Sequence, residues 1–218
     1  MTGAVLDSRR LSRAPPACRT PSVSDFLPHP FWNFSLELYG AEGVAEACLD
    51  LQDRRGCDVN VLLFCCWLAA SGRPTLSADR LRAILKASDV WQADVVKPLR
   101  AIRRKLKDGS WAHLFSGRAL PETVDAVRRR VADAELAAEH AEQLELATLY
   151  AAAADRALHR DDPPEKRMRA AVGNLGVYAV CLGVVPDDKD RTAVAALMRA
   201  TFPALLPQEI AEAVGLKA

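Results

Sequence analysis

The sequence lacks most of the short motifs that mark enzymes and metal-binding proteins. None of its six cysteines forms a C-x-x-C pair, which excludes the spacing of zinc knuckles and of thioredoxin-like redox sites. No glycine-rich phosphate loop is present, and the four histidines show neither H-E-x-x-H nor E-x-x-H spacing. These absences disfavour phosphate-loop, zincin and di-iron sites, and we expect no cofactor.

The sequence also lacks a charge imbalance and a long hydrophobic run. Its 29 Lys and Arg residues balance 28 Asp and Glu residues, so a net charge of +1 gives no general attraction to nucleic acid or anionic membranes. The longest apolar runs, Val61–Ala70 and Leu175–Val185, are shorter than the roughly 20 residues that span a bilayer. No apolar stretch of a secretory signal follows Arg9 and Arg10. We therefore expect a cytoplasmic protein with reduced, buried cysteines and no membrane partner.

The residues that are abundant favour helices. Aromatic residues make up only 6% of the chain, whereas Ala, Leu, Arg and Glu dominate it, and no extended strand pattern occurs. The predicted fold class is all-α: a helical bundle with one long helix and a smaller helical C-terminal part. We divide the chain into a disordered tail at 1–29, a bundle domain at 30–160 that includes the long helix at 121–158, and a C-terminal helical subdomain at 161–218.

Two helices define the predicted architecture. The segment Val59–Ala70 is apolar almost all round and follows Asp58 as an N-cap, so it belongs in the centre of the bundle. We expect the deepest side chains of the protein to be those of Leu62, Leu63, Phe64 and Trp67. The long helix at 121–158 would extend roughly 57 Å, which exceeds a compact bundle of this mass. It must therefore protrude, bend or pair with a partner, and a homo-oligomer through this helix is one outcome.

The strongest local charge feature is a basic stripe on one amphipathic helix. Pro98 lies inside the helical pattern, so we expect a kink or a restart there. The stripe consists of Lys97, Arg100, Arg103, Arg104 and Lys107, with Lys105 beside them. One interpretation is a solvated face paired with acidic helices such as Glu135–Glu145. The other is a surface that contacts phosphates or an acidic partner.

Two acidic stretches invite a metal or diphosphate interpretation. Asp50 and Asp53 lie on one helical face and Asp58 follows after the turn, so these three carboxylates could share Mg²⁺. The alternative is a solvated face opposite an apolar stripe. The second stretch, Asp187–Asp190, stands at the start of a helix, where carboxylates accept free N–H groups and complement the dipole, and we predict capping there.

One part of the chain resembles a known family. Residues 31–68 contain an F/W-W-x-F-x-L-x-L-Y type helix, followed by G-V-x-x-x-C-L-x-L-Q and D-V-x-x-L-L-F-x-x-W-L. Val95–Lys107 adds the element V-x-P-L-R-x-x-R. These strings resemble an uncharacterised proteobacterial domain-of-unknown-function family over residues 30–150. The resemblance implies no activity, because the family has none to carry over.

These features favour a non-enzymatic protein-interaction or adaptor module that presents its basic helix and its long helix to a protein partner. An enzyme alternative is a Mg²⁺-dependent or diphosphate-recognising helical protein. It would use Asp50, Asp53, Asp58, Arg100 and Arg104. A third alternative is nucleic-acid binding through the basic stripe, although no aromatic residues for base stacking accompany it. Convergence of the acidic and basic stripes on a cavity would favour the enzyme, and separate convex surfaces would favour the interaction module.

Overall fold

The computed structural model describes residues 26–73, 75–109, 121–152 and 161–216. Over these residues the protein is α-helical without any strand, which confirms the predicted fold class. None of the helices in these ranges is both long and apolar enough to cross a membrane. The helices are α1 (Pro30–Tyr39), α2 (Val44–Arg55), α3 (Val59–Ala70), α4 (Ala78–Trp91), α5 (Lys97–Asp108), α6 (Pro121–Ala152), α7 (Pro164–Cys181), α8 (Asp188–Thr201) and α9 (Pro207–Val214).

Several helix ends follow directly from local sequence chemistry. The side chain of Asp58 accepts a hydrogen bond from the backbone N–H of Asn60, and Ser77 caps α4 in the same way. Asp187 caps α8 in a reciprocal capping box with Asp190, so the capping prediction for this acidic stretch is confirmed. Gly56 ends α2 at a φ of 70°, a left-handed conformation that favours glycine.

Helix α3 forms the centre of the hydrophobic core. The four residues predicted to be deepest are each no more than 4% exposed, as the all-round apolar pattern indicates, but Phe64 alone of them is fully buried, and Phe31, Leu68 and Leu81 are buried more completely than the other three. The ring of Phe31 on α1 lies 5.0 Å from that of Trp67 and 5.4 Å from that of Phe64. α1, α2, α6, α7 and α8 all pack against α3, so its entire circumference is covered.

The C-terminal helices share this core. Asn174 on α7 is fully buried; its side chain accepts from the backbone N–H of Leu76 at 3.0 Å and donates to the carbonyl of Cys65 at 3.3 Å. Buried side chains of α7, α8 and α9 belong to the same hydrophobic cluster as those of α3. The two parts predicted on either side of residue 160 therefore meet in one core.

The basic helix continues from α4 through a π-helical segment. Residues Ala78 to Asp108 are helical without a break, with Gln92–Val96 in the wider π conformation. Pro98 stands in the first turn of α5, directly after this segment. A proline there lacks the N–H of a regular helical hydrogen bond, and the π segment accommodates that irregularity just where a kink or restart was predicted.

Helix α6 changes its environment along its length. No residue at 121–134 is buried, whereas the half from Glu135 to Tyr150 carries a regular series of buried side chains. α5 also has no buried residue and packs against α6. We call α5 and residues 121–134 of α6 the arm. Residues 153–158 of the predicted long helix lie outside the described residues.

The packed part of the chain begins before Pro30. The ring of Phe26 lies 5.5 Å from that of Trp32 and 4.8 Å from that of His140. Nε2 of His140 lies 3.1 Å from the carbonyl oxygen of Leu27, and Nδ1 of His29 caps α1. The tail boundary predicted at residue 29 is thus too late, because these side chains pack on α1 and α6; residues 1–25 lie outside the described residues.

Candidate functional site

Two arginines of the basic stripe are held by carboxylates of α6. Arg100 donates to Glu135 at 3.0 Å and to Glu139 at 2.7 Å, and Arg103 also donates to Glu135. Burial alone would raise the pKa of Glu135, but the hydrogen bonds from Arg103 and Arg100 outweigh it and lower that pKa below its usual value. This geometry matches the interpretation in which the stripe pairs with the acidic helix.

The other three residues of the stripe are exposed. Lys97, Arg104 and Lys107 have no carboxylate partner among the described residues. Arg104 lines a cleft, whereas Lys97 and Lys107 do not. Within the described ranges, the basic stripe is therefore divided between two arginines bound by α6, an arginine at the cleft without a carboxylate partner, and two exposed lysines.

The cleft lies between the arm and the core. Its walls come from α1, α2, the start of α3, α5 and α6, and its volume is about 490 Å³. Small-molecule sites commonly fall in this size range. Four arginines line it: Arg100, Arg103, Arg104 and Arg128. Tyr39 and Trp32 add aromatic surface to the same lining.

Three buried polar atoms in the wall of this cleft have no hydrogen-bond partner within the described part of the chain. They are Nε1 of Trp32, Oγ of Ser35 and Oε1 of Gln143. All three residues are less than 5% exposed. The amide nitrogen of Gln143 donates to Asn60 at 2.8 Å, which leaves its oxygen facing no donor. An unsatisfied buried polar group costs about 1–3 kcal/mol, so three at one cavity require an explanation.

Two neighbouring carboxyl groups lie at this wall: Asp58, which lines the cleft, and Glu142, which is buried. Glu142 accepts hydrogen bonds from Asn60 and Gln92, each at 2.7 Å, and from the hydroxyl of Ser88. Burial first, and then the neighbouring Glu142, raise the pKa of Asp58 well above its ordinary value. Asp58 therefore keeps its proton at a pH where an exposed aspartate has lost it.

The three acidic residues of the metal hypothesis do not meet at one point. Asp50 lies on the surface and pairs with Arg54 at 2.5 Å, while Asp53 is also exposed. Only Asp58 reaches the cleft that the basic helix lines. In the ranges that the structure describes, no cluster of three or more His, Cys, Asp and Glu side chains is placed to hold a metal ion.

The second acidic stretch binds arginines instead. Arg55 donates to Asp187 at 2.6 Å and contacts Asp190 at 2.8 Å, and Arg54 contacts Asp190 at 2.9 Å. These ion pairs connect α2 with the start of α8. Together with the capping box, they give this stretch a structural role in holding the C-terminal helices against the bundle.

The fold and the cleft define an all-α bundle protein with an arginine-lined cavity beside a two-helix arm. Within that class, the chain belongs to the family described as "Protein of unknown function (DUF2390)", which matches residues 30–161. This match confirms the resemblance to a domain of unknown function. No curated protein and no solved structure matches the chain. Every residue that lines the cleft lies within the matched segment.

Sequence reasoning missed the inner wall of the cleft. Asn60 interrupts the strongly apolar helix α3, and Ser35 stands between Phe34 and Leu36 in α1; both polar residues are buried. A polar residue inside an apolar helix is a usable signal, because burial without a partner is costly. The sequence could not indicate that Gln143, which is 83 positions from Asn60, would face it.

Proposed function

We propose that this protein is a non-enzymatic binding protein that holds a small polar molecule in the cleft between the arm and the core. The observation that supports it most is a set of three buried polar atoms, on Trp32, Ser35 and Gln143, that have no hydrogen-bond partner among the described residues and that belong to residues lining one cleft. These atoms are covered in the empty protein, so a bound molecule would supply the missing donors and acceptors once the side chains over them move aside. Preserving such groups lowers the stability of the empty protein, as is common where a site is kept for function.

A matched pair of serine variants tests this proposal. The Ser35 hydroxyl is buried beside the cleft and has no partner among the described residues, whereas the Ser88 hydroxyl donates to Glu142. We expect Ser35→Ala to raise the melting temperature of the empty protein, because it removes an unsatisfied group. We expect Ser88→Ala to lower the melting temperature, because the loss of its hydrogen bond reduces the free energy of unfolding by about 1–3 kcal/mol. If both variants lower it equally, the Ser35 hydroxyl is satisfied within the protein and the proposal fails.

A second candidate function is docking of an acidic protein on the arm. The observation that favours it is that α5 buries no side chain, leaves Ile102 48% exposed, and carries Lys97 and Lys107 without carboxylate partners in the described ranges. An apolar centre with a charged rim is typical of protein interfaces. The partner would be an acidic protein surface or a second copy of this chain.

Charge reversal separates this candidate from the first. The variant Lys97→Glu with Lys107→Glu changes only residues outside the cleft. Exposed charges contribute about 0–1 kcal/mol to folding, so this variant should stay folded. If the arm is a docking surface, this variant should no longer form the cross-linked complex, or the dimer in sedimentation, that the wild type forms. The control variant, Lys166→Glu with Lys189→Glu, should still form that complex or dimer. Equal retention by both variants would contradict arm docking.

A further inference from the structure

On the basis of the proposed function, we further propose that the ligand of the cleft is a small organic anion. Its carboxylate or phosphate group would bind Arg104 at the mouth of the cleft. Its remaining polar groups would bind Trp32, Ser35 and Gln143 on the inner wall once the side chains that cover their polar atoms in the empty cleft move aside. Carboxylate and phosphate ligands would share a group of negatively charged oxygens at one end. At the other end the ligand would carry both hydrogen-bond donors and hydrogen-bond acceptors.

Among the described residues, Arg104 is the cation of this lining that has no carboxylate partner and can therefore bind an anion. Arg100 and Arg103 are bound by the α6 glutamates, and Arg128 contacts Asp125 at 2.7 Å. Arg104 is exposed and has no carboxylate partner in the described ranges. A guanidinium group presents a planar fork of N–H donors that matches a carboxylate or phosphate in two parallel hydrogen bonds.

The inner wall specifies what the other end of the ligand must offer. The indole N–H of Trp32 only donates, so it requires an acceptor. The oxygen of Gln143 only accepts, so it requires a donor such as a hydroxyl or an amino group. The Ser35 hydroxyl serves either role. A hydroxy acid, an amino acid or a phosphorylated polyol satisfies all three groups, whereas a bare inorganic anion does not.

The charge of the lining also suits an anion. Four arginines face four carboxyl groups: Asp58, Asp133, Glu135 and Glu139. Burial raises the pKa of Asp58, and it also raises that of Glu139 against the influence of Arg100. When Asp58 holds its proton, the positive charges of the lining exceed the negative ones. An anion entering the cleft therefore meets a net attraction in a partly desolvated site.

Equilibrium dialysis of the full chain against a dialysable small-molecule extract of its expression host tests this inference. Accurate-mass spectrometry of the bound fraction should find enriched compounds that carry a carboxylate or a phosphate. The presence or absence of phosphorus in their formulae then distinguishes a phosphate ligand from a carboxylate ligand. Enrichment of a neutral or cationic compound would overturn the anion assignment while leaving the proposed function in place. No enrichment at all would overturn both.

Two glutamine variants show whether Arg104 is the recognition group. Arg104→Gln should weaken retention of the enriched compound by about tenfold or more, because a charge-assisted hydrogen bond is lost. Lys107→Gln removes the same charge from the same helix, outside the cleft, and should retain the compound as the wild type does. Equal weakening by both variants would mean that diffuse charge attracts the compound, and the assignment of Arg104 would be wrong.

Discussion

The core and the arm of this protein are stabilised by different forces, although the helix α6 runs through both. Where α6 enters the core, Leu146 is 1% exposed, and apolar contacts surround it. In the arm no side chain is buried, and contacts to α6 depend on arginine–glutamate pairs such as Arg103 with Glu135. Regions with few buried apolar contacts open at a lower free energy than the core. We conclude that one wall of the cleft is intrinsically easier to displace than the other.

The largest expected effect is in the core. Trp67→Ala should lower the free energy of unfolding by about 3–5 kcal/mol, because it removes a buried aromatic ring stacked on Phe31. The total stability of a domain is about 5–15 kcal/mol, so urea unfolding detects this change easily. Ile102→Ala in the arm is the control and should cost far less, since that side chain is 48% exposed. Equal losses would remove the distinction between core and arm.

The next effect should be confined to the arm. Glu135→Gln removes the carboxylate that holds Arg100 and Arg103, and charge-assisted hydrogen bonds of this kind contribute about 1.5–3 kcal/mol. Hydrogen–deuterium exchange should accelerate at 97–108 and stay unchanged at 59–70. Because the folded-state pKa of Glu135 is lowered, its stabilising contribution is present above the ordinary glutamate pKa and is lost as the pH falls. Faster exchange throughout the chain would show that the arm and the core unfold together.

A smaller effect should come from the N-terminal edge of the core. Removal of residues 1–29 deletes the His29 cap and the Phe26 ring, whereas removal of residues 1–25 keeps both. Loss of a helix cap typically costs about 1 kcal/mol, so the shorter chain should melt at a lower temperature than the longer one. His29→Ala in the full chain should reproduce part of the difference. Identical melting of the two truncated chains would mean that residues 26–29 add no stability.

The smallest effect is a pH dependence centred on Asp58. Its folded-state pKa is raised, so the unfolded chain loses this proton first as the pH rises. The wild type should therefore lose stability from the ordinary aspartate pKa up to the raised one. Asp58→Asn keeps an N-cap for α3 and cannot ionise, so its stability should vary less over that window. Parallel curves of melting temperature against pH for the two proteins would contradict this assignment.

The parts of the fold that depend on local chemistry could be predicted from the sequence. The caps at Asp58, Ser77 and Asp187 follow from the hydrogen-bonding capacity of their side chains beside a helical pattern. The central position of α3 follows from its apolar residues on every face. In each case the residues that determine the feature lie within one or two helical turns of it.

The cleft could be predicted only in part, because its walls come from distant positions. Helical periodicity places Arg100 on a face, but it does not identify Glu135 rather than solvent as the neighbour. The link between Asn60 and Glu142 joins residues 82 positions apart. His29, interpreted as part of a disordered tail, is a helix cap because Phe26 and Leu27 pack on α6. Such pairings depend on how the helices are arranged in three dimensions.

The packing of α7 against α3 has a consequence for the matched segment as a unit of folding. The family match ends at residue 161, and α7 begins at Pro164 just beyond it. In this protein, however, α7 covers a face of α3 and fills the core through Asn174 and its apolar neighbours. The segment that the family model matches is therefore smaller than the segment that forms one core. A chain that ended at residue 161 would leave the face of α3 that α7 covers exposed to solvent, so we expect the matched segment to need α7 in order to fold stably in this protein.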